Sequence, residues 1–326
     1  MQNEIQICTP ASHFALIKLF ILKLSTSITA PFLIRAMPGV FVLIWSTGFI
    51  VAKFGLPFAP PLTFLTIRYF LSIACFLVWI GLARAIWPSD KKQWWHLAVT
   101  GVLMHGGYLG GVWVAVKGGM GSGLAALIVG FQPILTALWL SYLGSTASEN
   151  PAQAVVSKRQ WLGLLLGLAG LLLVVARKFG ATNEVTLLTF AAAVFALISI
   201  TVGTLYQKQH VTATDVRTAN VIQLGAALVV TLPFAMLEAE AITWNASFVG
   251  SMAWAVLALT LGGSSLMFML IQRGAATTVT SLLYLVPPTT ALMAWILFGE
   301  AITFVTIFGI VLTAIGVSLV VRPAKA

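Results

Sequence analysis

From residue 38 onward the chain is a succession of long apolar runs separated by short, turn-rich connectors. The runs are apolar on every face. A transmembrane barrel strand would alternate polar and apolar residues, so the pattern leaves the helix, which closes its backbone hydrogen bonds within one segment. Runs of about 18 to 23 residues are long enough to cross a hydrocarbon layer roughly 30 Å thick. The pattern predicts helices over 38–55, 62–83, 94–116, 122–143, 160–176, 187–206, 218–237, 248–270, 277–298 and 302–321. Connectors such as "GLPFAPP" and "VKGGMGSG" carry the glycine and proline of tight turns. Residues 144–158 form a longer polar linker between the fourth and fifth runs.

Composition turns this pattern into a class. Of the 326 residues, 60% are hydrophobic and 8% charged, against the roughly one-quarter charged residues of an ordinary soluble domain. The chain reads as an all-α integral membrane protein. A formal charge of +10 would suggest a nucleic-acid partner in a soluble protein, but here most of it orients the chain. Placing the N-terminus inside gathers Arg84, Lys91, Lys92, Lys158, Arg159, Lys208, Arg217 and Arg273 on the cytoplasmic side, while Lys117, Arg177 and Lys178 lie outside. The excess of inner cations predicts cytoplasmic termini, a lipid bilayer as the surroundings and no nucleic acid. Cys8 and Cys75 read as free thiols, and no metal-ligand spacing, phosphate-cradling loop or activated nucleophile stands out. No enzyme activity, cofactor or metal is expected. Oligomeric state stays open, a homodimer included.

Residues 1–36 stand apart. "FALIKLFILKLSTSITAPFLI" is apolar, but Lys18 and Lys23 interrupt it and no small-residue cleavage site follows. An amphipathic helix on the inner leaflet, a translated stretch upstream of a start at Met37, and an additional span all fit this leader.

The rest repeats itself. "LGLLLGLAGLLLVV" from Leu162 and "FGIVLTAIGVSLVV" from Phe308 share Gly163, Leu166, Gly170, Leu173, Val174 and Val175 at a constant offset, and "PILTALWL" from Pro133 resembles "PPTTALMA" from Pro287. The predicted organisation is a first repeat of four helices over 37–143, the cytoplasmic linker 144–158, a fifth helix over 159–177, a second repeat over 178–322 and a tail, 323–326. An odd number of spans per copy sends the second copy through the membrane in the opposite sense, giving ten helices as two five-helix inverted repeats, 5+5.

Several stretches carry a resemblance: "WSTGFIVAKFG" with "PPLTFLTIRYFLS", "SGLAALIVGFQPILTALWL", and "TSLLYLVPPTTALMAWILFGE" with "FGIVLTAIGVSLVV". Over residues 38–321 the chain resembles the drug/metabolite transporter superfamily and, within it, the EamA-like ten-helix exporters. The resemblance implies a multi-pass protein of a bacterial inner membrane that moves small metabolites such as amino acids outward. It departs from the family at Val286, where a glutamate commonly precedes the proline, and at Gly144–Ser145, where Gly-Glu is retained only as Gly299–Glu300.

Candidate chemistry begins with two cations inside apolar runs. Lys53 and Arg68 each cost several kcal/mol at mid-bilayer depth, roughly 2.5 to 3.5 on insertion scales, unless they face a cavity or a partner. Side chains lean toward the N-terminus of their own helix, so the two heads are expected to converge from antiparallel spans on one water-filled vestibule that attracts a carboxylate. Snorkelling of Lys53 and carbonyl capping by Arg68 are the structural alternatives. His105, Tyr108, Gln132, Asn220, Gln223, Ser264, Ser265 and Tyr284 add polar groups to the spans, with interhelical hydrogen bonding as the commoner use. Trp45, Tyr108 and Trp113 offer an apolar wall, Pro133 and Pro287 offer hinges, and glycines 106, 107, 110 and 111 allow close helix contact.

The acidic residues Asp90, Glu149, Glu184, Asp215, Glu238, Glu240 and Glu300 fall in loops or at helix ends, which points away from strong ion coupling. The substrate-binding candidates are therefore Trp45, Lys53, Arg68, His105, Tyr108, Gln132, Asn220, Gln223 and Tyr284, in an exporter of small carboxylate-bearing metabolites. A broad drug exporter and a lipid-handling or membrane-assembly protein are the alternatives.

Overall fold

The structure, a computed structural model, describes residues 37, 39–136, 138–139, 158–178, 185–272 and 285–321. The chain divides into units Met1–Val40 and Phe41–Ala326, and the helices discussed below belong to the second, apart from the first residues of α1. The helices are α1 (Gly39–Phe58, ending in a 3-10 turn), α2 (Pro61–Ala83), α3 (Lys91–Lys117), α4 (Ser122–Thr136) and α5 (Lys158–Lys178). They continue as α6 (Leu187–His210), α7 (Val216–Ala235), α8 (Ala246–Gln272), α9 (Val286–Phe298) and α10 (Phe304–Val321).

Helix starts follow their capping residues. Asp90, Asp215 and Asn245 accept hydrogen bonds from the first backbone N–H groups of α3, α7 and α8, and Thr186 with Thr189 forms a reciprocal cap on α6. Gly299, at φ 63°, ends α9 in the left-handed region that glycine enters without strain.

Among the described residues, six helices, α1, α2, α3, α6, α7 and α8, are long and apolar enough to cross a membrane, and the apolar stretches Ser122–Thr136, Trp161–Gly170, Val286–Phe298 and Phe304–Gly316 are shorter. One expected span differs in detail: α4 is interrupted by a turn at Gly130–Phe131, just before Gln132 and Pro133. Residues 277–284 of the ninth expected span lie outside the described residues, and Pro287 stands in the first turn of α9.

Packing reverses the order of a soluble domain. Leu82, Trp95, Val229 and Phe304 are exposed while Arg68, His105, Gln132, Asn220 and Gln223 are buried. An apolar exterior over a partly polar interior is the arrangement a lipid solvent selects. Phe64, Tyr69, Phe76, Trp113 and Phe248 fill the interior.

The α5–α10 contact bears directly on the repeat. A Cβ on Gly170 would stand 2.6 Å from the Gly309 carbonyl oxygen, and one on Gly316 would overlap the Gly163 carbonyl. Gly163 and Gly309 are repeat-equivalent, as are Gly170 and Gly316. The two close approaches are therefore one contact made twice with the partners exchanged, and the helices cross antiparallel. A second correspondence lies in α3 and α8. Each has 27 residues, and each contains a π-helical segment, Val102–Leu109 in α3 and Ala255–Ser264 in α8.

Candidate functional site

Both π-helical segments face one hollow. It is lined by Trp45, Gly48 and Phe49 of α1, Arg68 of α2, Met104 to Trp113 positions of α3, Gln207 of α6, Gln223 of α7, and Leu259, Ser264, Met267 and Phe268 of α8. A π segment widens the helix by bonding five residues back and leaves the local ladder irregular, a feature concentrated at functional sites. Here side chains repair that ladder. The Tyr69 hydroxyl donates to the His105 carbonyl at 2.6 Å, and Thr260 donates to the Ala255 carbonyl five residues back at 2.9 Å.

Arg68 is the charge of the hollow. It is 3% exposed, its Nε donates to Thr260 Oγ1 at 2.9 Å, and its guanidinium lies 5.6 Å from the Trp113 ring centre. Among the described residues that line the hollow, none is acidic. Four of them carry a buried nitrogen donor without a partner: Arg68 Nη1, Trp113 Nε1, Gln207 Nε2 and Gln223 Nε2. Unsatisfied buried donors cost about 1–3 kcal/mol each, more when charged, which makes them natural partners for an incoming acceptor. Trp45 stacks on Tyr108 at 6.2 Å and 2° to form one wall. The hollow is narrow, with a cavity volume of about 40 Å³. A solute enters only as side chains give way, and the unbranched Met104 and Met267 are suited to that.

The candidates separate into two groups. Trp45, Arg68, His105, Tyr108 and Gln223 meet at the hollow, with Trp113 and Ser264. Gln132 instead donates to Thr204 across α4 and α6 at 3.0 Å, and Asn220 donates to its own helix at the Val216 carbonyl at 2.7 Å. Tyr284 lies outside the described residues. Gly130, three residues before Pro133, leaves room for the Pro287 ring where α4 and α9 pack.

Lys53 does not share the hollow with Arg68. Its Nζ donates to Glu300 at 2.6 Å and lies 5.0 Å from the Phe298 ring centre. Glu300 also accepts from the N–H groups of Ser122 and Gly123, at 3.1 and 3.5 Å, at the start of α4. Burial works against ionisation of Glu300, but the Lys53 hydrogen bond and charge and those two N–H groups outweigh it and hold its carboxyl below the ordinary value. A loop carboxylate thus supplies the partner that the apolar run around Lys53 lacks. A parallel arrangement holds α2, where Glu238 accepts from the N–H groups of Leu62 and Thr63 at 3.0 and 2.8 Å. Lys117 bridges Glu240 at 2.6 Å and donates to the Leu56 carbonyl at 2.8 Å.

Sequence reasoning missed Thr260, Gln207, Met267 and Phe268. A signal for the π segments was present in the paired glycines 106–107 and 262–263, which fall inside the two segments.

A family model, the EamA-like transporter family, matches the chain twice, over residues 39–176 and 187–322. The chain belongs to that family. Its double match coincides with the two copies seen in the glycine contact and the paired π segments. Relatives include the uncharacterized transporter YvbV of Bacillus subtilis, 26% identical over 87% of this chain and 90% of its own length. The "probable amino-acid metabolite efflux pump" of Salmonella typhimurium is 24% identical over 84% and 90%, and the uncharacterized inner membrane transporter YedA of Escherichia coli K12 is 26% identical over 87% and 90%. A solved crystal structure shares the fold at a TM-score of 0.62 and 17% identity, covering 87% of this chain and 95% of that one. EamA-like proteins are membrane transporters, and this chain is one.

Proposed function

We propose that this EamA-like transporter is an inner-membrane carrier that moves small carboxylate-bearing metabolites, amino acids or related compounds, outward. Ten spans in a 5+5 inverted repeat, with both termini cytoplasmic, alternate the access of a central site, with weak or no ion coupling. One observation carries the substrate class: the described residues that line the hollow between the π segments include a buried guanidinium and three further side chains with an unpaired buried N–H donor, and none is acidic. A carboxylate satisfies such a set, because its two oxygens accept several charge-assisted hydrogen bonds. The Salmonella relative's name supports the same class. With no acid among the lining residues, proton or sodium coupling lacks its usual carboxylate.

In this reading Arg68 anchors the carboxylate, Thr260 and Trp113 hold the guanidinium in place, and the Trp45–Tyr108 stack walls the substrate body. Purified protein in liposomes is tested against a labelled amino-acid panel. Arg68→Ala is expected to lower carrier-mediated flux about ten- to a hundredfold, from the ~1.5–3 kcal/mol of a charge-assisted hydrogen bond. An unchanged profile in the folded variant removes the cationic site.

One observation favours a second reading, lipid handling. An apolar groove of about 530 Å³ runs beside the first π segment, lined by Leu62, Gly106, Gly110, Leu188, Phe195 and Phe234 among others. That reading expects the same liposomes to redistribute a fluorescent phospholipid between leaflets. Solute flux without lipid movement leaves the carrier.

A further inference from the structure

The charge inventory of the hollow says more than that a carboxylate fits. An amino acid brings an ammonium group as well, and that group must also be satisfied once it leaves water. Among the described residues that line it, the hollow offers no counter-ion, since none is acidic. Its neutral acceptors are amide, hydroxyl and ring groups, and its strongest field, from Arg68, repels a cation. The ring faces are partly spent: the Trp113 face receives the Arg68 guanidinium at 5.6 Å, and Trp45 and Tyr108 cover each other at 6.2 Å. Stripped of water, an ammonium beside a guanidinium meets like-charge repulsion that neutral acceptors offset less well than a carboxylate would. A monoanion instead neutralises the one buried charge.

The remainder of the lining is apolar and partly aromatic, with Phe49, Met104, Leu259, Met267 and Phe268. Resting on the carboxylate reading above, we infer that the preferred solute is a monocarboxylate with an apolar body, ring-sized or branched, and no ammonium group. Amino acids are poorer ligands than their deaminated counterparts, and amines are excluded. The reaction that supplies such a solute is one that removes nitrogen from an apolar amino acid, or one that releases an apolar acid by hydrolysis or oxidation.

Three matched probes separate these claims: 3-phenylpropanoate, phenylalanine, which adds an ammonium, and 2-phenylethylamine, which lacks the carboxylate. Binding is read on the purified full chain in detergent, by tryptophan fluorescence and by thermal shift, so that passive leakage of the neutral acid through a bilayer does not interfere. The expected order is 3-phenylpropanoate tighter than phenylalanine by tenfold or more, with no saturable binding of the amine. The tenfold advantage is expected to shrink in Arg68→Lys, which keeps the charge but loses the planar fork, and to vanish in Arg68→Gln. The wild-type series decides the matter even if either variant fails to fold. Phenylalanine binding as tightly as or more tightly than 3-phenylpropanoate overturns the inference while leaving the carboxylate reading intact. Equal binding of the amine, or no binding by any of the three, overturns both.

Discussion

Arg68 shows how far one side chain can be understood from its chemistry. A guanidinium in an apolar span demands a cavity or a partner, and the structure supplies a hollow and the Thr260 hydroxyl, 192 residues away. Thr260 has two tasks, since it also repairs the π-helical ladder at Ala255. Thr260→Val keeps the shape and removes the hydroxyl. It is expected to lower stability by about 1–3 kcal/mol, the cost of one more unsatisfied buried donor, and to reduce carrier flux with it. Thermal unfolding in detergent measures the first effect and liposome flux the second. If neither moves, Thr260 does not position the guanidinium. Lys53 is the contrasting case: its burial problem was visible in the sequence, but its solution, Glu300, arrives from a loop 247 residues away, beyond the reach of any local pattern.

Helices meet at two kinds of junction here, glycine crossings and carboxylate-capped ends. At the α5–α10 crossing, Gly316→Leu pushes a side chain into the Gly163 carbonyl, and overpacking of this kind costs typically 1–3 kcal/mol. Gly225→Ala, with nothing within 4 Å of the new Cβ, serves as the control and is expected to melt within error of wild type or slightly above it. Equal melting temperatures for both variants argue against the close crossing.

At the capped ends, Glu300 ties α1 to the start of α4 through Lys53, Ser122 and Gly123. Its carboxyl titrates below the ordinary 4.5 when folded, so its stabilisation is complete above that value and is lost as pH falls through the lower folded-state value. The melting-temperature gap between wild type and Glu300→Gln is therefore expected at neutral pH and should close in acid. A gap that persists unchanged well below pH 4.5 contradicts a charge-based latch.

At the scale of the whole molecule, the charge map predicts which ends of the helices face the cytoplasm. A single cysteine replacing Lys91 is expected to react with a membrane-impermeant maleimide only after the cells are opened, and one replacing Glu240 in intact spheroplasts. The reverse pattern inverts the proposed orientation and with it the direction of export. Membrane residence, helical class and duplication were legible because each is written in long or repeated stretches: apolar runs that must be helical in lipid, and glycines 163 and 170 recurring as 309 and 316. The hollow was legible only in part. Trp45, Arg68, His105, Tyr108 and Gln223 were chosen as polar or aromatic groups out of place in a lipid-soluble run, and so were Gln132 and Asn220, whose amide N–H groups donate between helices and within one helix. Composition cannot tell these apart, because a buried polar group looks the same in the chain whether its partner is a neighbouring turn, another helix or an incoming solute. Three-dimensional packing made that distinction, through the rotation of each helix and the register shift of the two π segments, where contacts such as Tyr69 with His105, 36 positions apart, and Arg68 with Thr260, 192 apart, lie beyond any local pattern.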